Sequence, residues 1–267
     1  MAIHFEELWN THHMWGQNVW IKKKHEVEQN IIVNQSYVEN IYFTYAYTSL
    51  DALTPQQLPI IEEKFASFSS QPAIFVNETQ RKNHMPEFLI RHGYQYAFND
   101  SWMFYNPSMP IELSEGIKIE DIDSNTFDDF SSILSVVFSS FPANPQYLEI
   151  CRKSLTEKPD NGMNDFASTF FVIYDNGVPA SGAGMFYSLE QNFAYLHNAG
   201  TLEAYRGKGY QSALIKYRVH LAQSLGINRI YSSVSQGSVS WANMIRCGFD
   251  EGQNLLLFTK KPAAVVA

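Results

Sequence analysis

Cysteine is scarce in this sequence, with two residues in 267. Cys151 and Cys247 lie far apart and belong to no C-x-x-C pair and no Cys/His ligand spacing. A disulfide framework or a zinc site would need such spacings. We therefore expect neither disulfides nor a bound metal.

Long apolar runs are also missing. None approaches the roughly 20 residues that a membrane-spanning helix needs. Glu6 and Glu7 stand where a secretory signal would have basic residues before an apolar stretch. We expect a soluble protein of the reducing cytoplasm with no membrane partner.

Basic residues are outnumbered, with 19 Lys and Arg against 27 Asp and Glu and a formal net charge of -8. Broad binding to nucleic-acid phosphates depends on many basic side chains that neutralise the backbone. The charge balance therefore argues against a nucleic-acid partner, although it leaves a local basic patch open.

Apolar residues are plentiful, since 45% of the chain is hydrophobic and 15% aromatic. This composition is typical of a protein with a sizeable core. Residues 106 to 116 concentrate Pro, Ser and Gly between two apolar-rich regions, as a linker would. The sequence thus predicts two domains of ordinary size, residues 1–110 and 111–267.

An internal similarity supports this division. The segment Leu-Ile-Arg-His-Gly-Tyr at 89–94 is similar to Met-Ile-Arg-Cys-Gly-Phe at 244–249. In each half a strand-like segment precedes a helical pattern, and Gly93 or Gly248 follows it where a helix C-terminus favours a left-handed residue. The two halves are therefore interpreted as copies of one α/β unit.

The second half alternates strand and helix patterns. Asp175-Asn176-Gly177 is a strong hairpin signal between two strand patterns. Further on, the loop Arg206-Gly207-Lys208-Gly209 separates a strand from a helical pattern whose apolar stripe comprises Tyr210, Ala213, Leu214, Tyr217, Leu221 and Leu225.

A glycine-rich turn at a helix start leaves several backbone N–H groups without internal partners, and the helix dipole adds positive charge there. The turn is therefore predicted to bind a phosphate or pyrophosphate. It is not a P-loop, because Gly207-Lys208 is followed by Gly209 rather than Ser or Thr. It also departs from the dinucleotide fingerprint, because Ser212 occupies the position of the third glycine.

Residues 204 to 209, Ala-Tyr-Arg-Gly-Lys-Gly, resemble motif A of the GNAT superfamily of N-acetyltransferases, whose pattern is Q/R-x-x-G-x-G/A. Arg206 and Gly209 match, whereas Gln211 stands where the family has Gly or Ala. Asn243 with Gly248-Phe249 resembles the family's motif B. The resemblance covers residues 111–267.

The resemblance implies an α/β (α+β) fold with a mixed, mostly antiparallel twisted sheet flanked by helices. The first half has no glycine loop before its Thr54-Pro55 helix start. It therefore looks like a degenerate copy, and the chain looks like a tandem GNAT protein with two GNAT-like halves.

The reaction implied is direct transfer of an acetyl group from acetyl-CoA to a primary amine on a small molecule or a protein. By position, Ala199, Gly200 and Thr201 would pair with the pantetheine. The backbone N–H groups of Arg206, Gly207, Lys208, Gly209, Tyr210, Gln211 and Ser212 would hold the pyrophosphate. The Lys208 side chain either adds charge or is solvated, and Asn243 either binds the cofactor or caps its helix.

A base must take a proton from the substrate ammonium group. His197 is a candidate, because it is the titrating side chain of this strand and a histidine usually has a pKa near 6.5. Strand alternation puts Phe193, Tyr195, His197 and Ala199 on one face and Ala194, Leu196 and Asn198 on the other. Glu203 is another candidate.

The family commonly has a tyrosine that acts as general acid four residues before the Gly-Phe of motif B. Met244 occupies that position here and cannot donate a proton. Tyr187, Ser240, Tyr231 or water would then protonate the thiolate. The alternative function is a catalytically silent acyl-CoA-binding or protein-interaction module.

The remaining histidines, His12, His13, His84 and His92, show no metal spacing and are interpreted as surface or packing residues. Trp9, Trp15 and Trp20 are spaced like one face of a helix. They either pack in the core or cover an open acceptor cleft. We expect a monomer or a homodimer.

Overall fold

A computed structural model describes residues 5–17, 19–114, 116–140, 144–157 and 165–260. In the first half the elements are α1 (Phe5–Gly16), β1 (Ile21–Glu28), β2 (Ile31–Ser36), β3 (Tyr45–Thr48), α2 (Gln57–Ala66), β4 (Ala73–Val76), α3 (Glu78–Lys82), α4 (Met85–Arg91) and β5 (Gln95–Tyr105). In the second half they are β6 (Ile119–Ile122), α5 (Phe127–Val137), α6 (Asn144–Ser154), β7 (Ala167–Asp175), β8 (Val178–Ser188), β9 (Phe193–Thr201), α7 (Tyr210–Ser224), β10 (Arg229–Ser235), α8 (Val239–Arg246) and β11 (Phe249–Thr259).

Several elements end where the local sequence predicts. Asn176 and Gly177 both have positive φ, 52° and 82°, and join β7 to β8. Gly93 and Gly248 end α4 and α8 with nearly equal φ values of 86° and 87°. At the start of α8, the Ser238 side chain accepts a hydrogen bond from the Trp241 N–H, which caps the helix.

The strands of the described residues form one eleven-stranded sheet in the order β1-β2-β3-β4-β11-β5-β10-β9-β8-β7-β6. Most neighbours are antiparallel, while β3 with β4 and β9 with β10 are parallel. At the centre the halves exchange strands. The last strand of the second half, β11, lies between β4 and β5, and the last strand of the first half, β5, lies between β11 and β10.

Helices cover both faces of the sheet. On one face α1, α5 and α6 pack around a core rich in aromatic residues, including Trp15, Phe127, Phe130, Phe186 and Tyr231. On the other face α7 and α8 pack over the second half, and α2 and α4 pack over the first. Because side chains alternate along each strand, every central strand contributes to both layers.

The buried face of α7 differs from the predicted stripe. Ala213 and Leu214 are buried as predicted, but Leu225 is exposed and Tyr210, Tyr217 and Leu221 are only partly buried. Ile215, Arg218, Val219 and Ala222 complete the buried face. The buried face of α7 thus contains a charged residue, Arg218, which the predicted apolar stripe does not include.

Within the described ranges, no helix is both long and apolar enough to cross a membrane. Among the residues that the structure describes, no group of three or more His, Cys, Asp or Glu side chains is arranged to hold a metal ion. Cys151 and Cys247 are both buried free thiols.

Candidate active site

The parallel strands β9 and β10 separate partway along their length. They pair from Phe193 opposite Arg229 to Tyr195 opposite Tyr231 and then diverge. Such a gap in a sheet exposes backbone groups that a ligand can bind in place of the missing strand partner.

A β-bulge in β9 lies beside this gap. Gly182 pairs with Gly200 whereas Gly184 pairs with His197, so β9 carries one extra residue, and Asn198 has a φ of 43°. The extra residue breaks the predicted alternation. The Asn198 amide reaches Cys151 of α6 at 3.5 Å, and Ala199 packs toward the α7 layer. The predicted facing of these two residues is therefore wrong, while that of Tyr195, Leu196 and His197 holds.

Two glycines shape the turn that leads into α7. Gly207 and Gly209 have φ values of 81° and 80°, which a residue with a side chain adopts at a cost. A Cβ on either glycine would meet no atom within 4 Å, so the turn is open. Gly209 is the N-cap, with no side-chain cap bond, and its carbonyl accepts from the Ala213 N–H. The N–H groups of the first turn are thus available to an anion.

The side chains around this turn form two bridges. Asp175 at the end of β7 pairs with Lys208 and accepts from the Tyr210 hydroxyl at 2.9 Å, and these hydrogen bonds lower the pKa of the Asp175 carboxyl. Gln211 donates to the Ser240 hydroxyl at 2.9 Å and accepts from the Asn243 amide. Lys208 therefore has a protein counter-ion, and Gln211 ties the start of α7 to α8.

The predicted pantetheine residues lie between the bulge and the turn. Ala199 lines the cavity described below. Gly200 packs tightly on α5, since a Cβ there would lie 2.7 Å from Val137, and its carbonyl accepts from Ser181 at 2.9 Å. The Thr201 hydroxyl also bonds to Ser181, at 2.8 Å.

A cavity of about 600 Å³ extends through the gap between β9 and β10. On the α7 side it is lined by residues of β9, α7, β10 and α8: Leu196, Gln211, Arg218, Ser232, Val234, Ser238, Ser240 and Met244. On the opposite side it continues into what we call the aromatic chamber, whose ring-bearing walls are Trp9, His12, Trp20, Tyr42, Phe43, Tyr45, Phe75, Phe98, Trp102, Phe138, Tyr147 and Tyr195. Most of these rings come from the first half of the chain.

Comparison with known proteins identifies this arrangement. Residues 131–249 match the model of the acetyltransferase (GNAT) family. These residues are a GNAT acetyltransferase domain. The matched region contains the strand gap and the glycine turn, and it leaves residues 1–130 outside. A search of curated protein sequences finds no match.

Solved structures share the fold over nearly the whole chain. A GCN5-related N-acetyltransferase from Kribbella flavida aligns with a TM-score of 0.69 at 12% identity, covering 99% of this chain and 98% of that one. A functionally unknown conserved protein from Staphylococcus epidermidis aligns with a TM-score of 0.72 at 13% identity, covering 93% and 98%. A tandem GNAT protein from the clavulanic acid biosynthesis pathway aligns at 0.56 and 8% identity, covering 87% and 79%. The predicted GNAT fold is confirmed.

Of the two predicted bases, only His197 lines the cavity. Its ring stacks on Phe186 with centroids 3.9 Å apart, and its Nδ1 lies 3.4 Å from the Tyr147 hydroxyl. Burial and the nearby Arg218 hold the pKa of His197 well below its usual range, so the imidazole is neutral near pH 7. Glu203 is exposed on a short 3₁₀ turn, Glu203–Tyr205, and is not part of the cavity lining.

The predicted proton donors for the thiolate lie in different places. Ser240 lines the cavity beside Met244, the residue that replaces the family's tyrosine. The Ser240 hydroxyl accepts a hydrogen bond from the Gln211 amide. Tyr231 is fully buried below the gap, where its hydroxyl bonds to His12 Nδ1 at 3.0 Å. Tyr187 packs in the α7 layer away from the cavity. Ser240 is thus the predicted hydroxyl that faces the cavity.

Arg218 is a cavity residue that the sequence did not single out. It is fully buried and donates to the carbonyls of Leu214, Gly184 and His197 at 3.0, 2.8 and 3.2 Å. Its Nη2 has no hydrogen-bond partner among the described residues, and burial lowers its pKa to about 9. Its bonds fix the backbone beside the bulge of the GNAT domain.

Asp100 of β5 is a second cavity residue that the sequence did not single out. Among the described residues that line the cavity, it is the one with an acidic side chain. Its carboxylate accepts from the Tyr42 hydroxyl and the Trp102 indole N–H, both at 3.1 Å. Burial raises the pKa of Asp100 to about 7. A signal was present, since Asp100 interrupts the aromatic strand Tyr-Ala-Phe-Asn-Asp-Ser-Trp-Met-Phe-Tyr at 96–105.

Proposed function

We propose that the protein is an acetyl-CoA-dependent N-acetyltransferase that transfers the acetyl group to a primary amine by direct attack. One observation carries this proposal: the cavity at the gap between β9 and β10 is lined by Ala199 of β9 and by Gln211 in the first turn of α7, directly after the open glycine turn. A turn that can bind a phosphate, an extended strand edge and a partly enclosed cavity would suit a long acyl-CoA.

The residues around this path fit acetyl-CoA. The N–H groups from Arg206 to Ser212 would hold the pyrophosphate, because Gly207 and Gly209 leave the turn open to close approach. The backbone from Ala199 to Thr201 would pair with the pantetheine at the diverging edge of β9. Asn243 would act indirectly, by holding Gln211 at the start of α7.

Binding and turnover test this proposal separately. We expect acetyl-CoA to raise the melting temperature while ATP and NAD leave it unchanged, because neither of these carries the pantetheine that would pair with the diverging edge of β9. Thiol release from acetyl-CoA in the presence of a panel of primary amines then measures transfer. Binding without thiol release for every amine would instead indicate the catalytically silent module, and no binding at all would contradict both.

A variant of His197 tests whether this residue supplies the ionisation that governs transfer. His197→Phe keeps a ring between Phe186 and Tyr195 but removes both nitrogens. Because the buried imidazole is already neutral near pH 7, we expect the pH dependence of kcat/KM to be unchanged and the rate to fall by less than about tenfold. Loss of the acidic limb of the profile in this variant would make His197 the base.

A further inference from the structure

We propose that the first half of the chain builds the acceptor site, in which Asp100 binds the ammonium group of a small amine whose apolar or aromatic body occupies the aromatic chamber. Asp100 also takes the proton that the amine must lose. This inference rests on the proposed acetyl transfer and names its substrate class.

The surroundings of Asp100 lack a positive partner. The residue lies on the central strand β5, between Ser235 of β10 and Leu255 of β11, and is 4% exposed. It takes part in none of the ion pairs formed among the described residues. Arg218 lines the same cavity but binds backbone carbonyls on the α7 side of the sheet. A buried carboxylate without a counter-ion is costly, and a cationic ligand removes that cost.

The walls around Asp100 suit a cation with an apolar body. Tyr42 and Phe98 stack with ring centroids 5.2 Å apart, and Trp102 lies over Tyr231 at 5.8 Å. Aromatic faces attract an ammonium group and also pack well against hydrocarbon. A cavity of about 600 Å³ that must also admit the acyl end of the cofactor leaves room for a compact molecule.

Asp100 is connected to the place where the acetyl group would arrive. The Tyr42 hydroxyl that donates to Asp100 also lies 3.0 Å from the Ser233 hydroxyl. Ser233 belongs to β10, two residues beyond Tyr231, where β10 has left β9. An ammonium group beside Asp100 is therefore next to the opening between the two strands.

Acetyl transfer at this site moves two protons and exchanges a C–S bond for a C–N bond. Asp100 accepts one proton from the ammonium group, and the freed nitrogen lone pair forms a C–N bond with the thioester carbonyl carbon. The C–S bond breaks, and the sulfur takes a second proton from the nitrogen. The products are the N-acetylated amine and the CoA thiol, and the proton on Asp100 passes to water.

Asp100 is the group of the chamber that changes charge near neutral pH. Burial raises the pKa values of the tyrosines that face it above their usual range and lowers that of His12 to about 3, so these groups stay neutral: Tyr42, Tyr45, Tyr195 and His12. The neighbouring strand β11 faces it with Leu255 and Leu257. Since Asp100 accepts a proton only when ionised, kcat/KM should rise with pH through about 7 and then level off.

The test compares wild type with Asp100→Asn, and with Asp250→Asn as the matched control. The asparagine can still accept from Trp102 and donate to Tyr42, whose hydroxyl can turn. Asp250 is an exposed carboxylate on β11 that accepts from Asn106 at 3.0 Å. Each variant is first checked for an unchanged melting-temperature rise with acetyl-CoA.

For transfer, we expect 2-phenylethylamine to exceed spermidine and N-acetyl-lysine amide in kcat/KM by at least tenfold. Asp100→Asn should lower that value by about 100-fold or more and remove the acidic limb, because a positioned base contributes roughly 10²–10⁴-fold. Asp250→Asn should match wild type. A preference for spermidine or the lysine amide, or an unaltered Asp100→Asn profile, would overturn the inference while leaving acetyl transfer intact.

Ligand binding gives a readout that needs no turnover. Trp9, Trp20 and Trp102 line the chamber, so a bound ligand should change tryptophan fluorescence. We expect wild type to bind trimethyl(2-phenylethyl)ammonium at least tenfold more tightly than neutral 3-phenylpropan-1-ol, and 3-phenylpropionate least. This order without any thiol release would contradict the proposed function alone, whereas equal binding of all three ligands would overturn the inference, even if Asp100→Asn does not fold.

Discussion

Gly209→Trp is expected to abolish the rise in melting temperature that acetyl-CoA gives, and to weaken acetyl-CoA binding by at least about 100-fold. The wild-type turn is open at Gly209, which has a φ of 80° and no atom within 4 Å of a Cβ position. An indole at the helix N-cap would fill the space that a pyrophosphate needs and shield the N–H groups that would bind it. Calorimetric titration with acetyl-CoA measures the loss.

The other end of α7 provides a matched control. Gly226 has a φ of 81° and is just as open, so Gly226→Trp imposes the same backbone strain and the same side chain. We expect similar losses of stability, of about 1 to 3 kcal/mol, in the two variants. Only Gly209→Trp should lose acetyl-CoA. Equal binding by both variants would show that the turn does not hold the cofactor.

The second large effect concerns the exchange of strands between the two proposed domains, residues 1–110 and 111–267. We expect neither segment alone to show cooperative thermal unfolding or stabilisation by acetyl-CoA. Met103 and Tyr105 of β5 are buried among residues of the second half and Phe258 of β11 among residues of the first, and burial of each such side chain contributes about 1.5 to 3 kcal/mol. Their sum is comparable with the whole stability of an ordinary domain. Co-expression of the two segments should restore both properties.

Cleavage of the connecting chain separates this effect from the loss of covalent linkage. A protease site inserted after Glu112, in the exposed connection between β5 and β6, leaves every strand in place. The cleaved protein should keep its melting transition and its response to acetyl-CoA. Independent folding of residues 111–267 with full acetyl-CoA binding would contradict the expectation.

Local signals were enough to predict several turns and helix ends. The Asn176-Gly177 hairpin, the helix ends at Gly93 and Gly248 and the glycine turn before α7 all depend on residues within a few positions of one another. Their backbone angles follow from the lack of a side chain or from a short polar one. The structure agrees with the sequence at each of these points.

Features that depend on distant partners were not predictable in this way. Nothing near β5 or β11 indicates that each pairs with a strand of the other half, because pairing is decided by contacts more than 100 residues apart. The bulge that turns Asn198 and Ala199 is likewise a property of the pairing with β8. The apolar pattern does not predict a buried Arg218, because the backbone carbonyls that accept its hydrogen bonds carry no sequence signal.

The part of the cavity proposed to bind the amine also depends on residues that are distant in sequence. The sequence shows Asp100 as an acidic residue within an aromatic strand. Its proposed role depends on Tyr42, Trp102 and Ser233, which only the folded sheet brings together. The first half was interpreted as a degenerate copy because it lacks a glycine loop. That absence says nothing about which surfaces the half supplies to the cavity.

The position of β11 has a consequence for synthesis of the protein. This strand follows the other ten described strands in the chain, yet it occupies the middle of the sheet between β4 and β5. When the first half has left the ribosome, the edges of β4 and β5 that will bind β11 are still unpaired, and such edges promote aggregation. The central strand is therefore made after the strands on either side of it, and the nascent chain has to keep that gap open until β11 arrives.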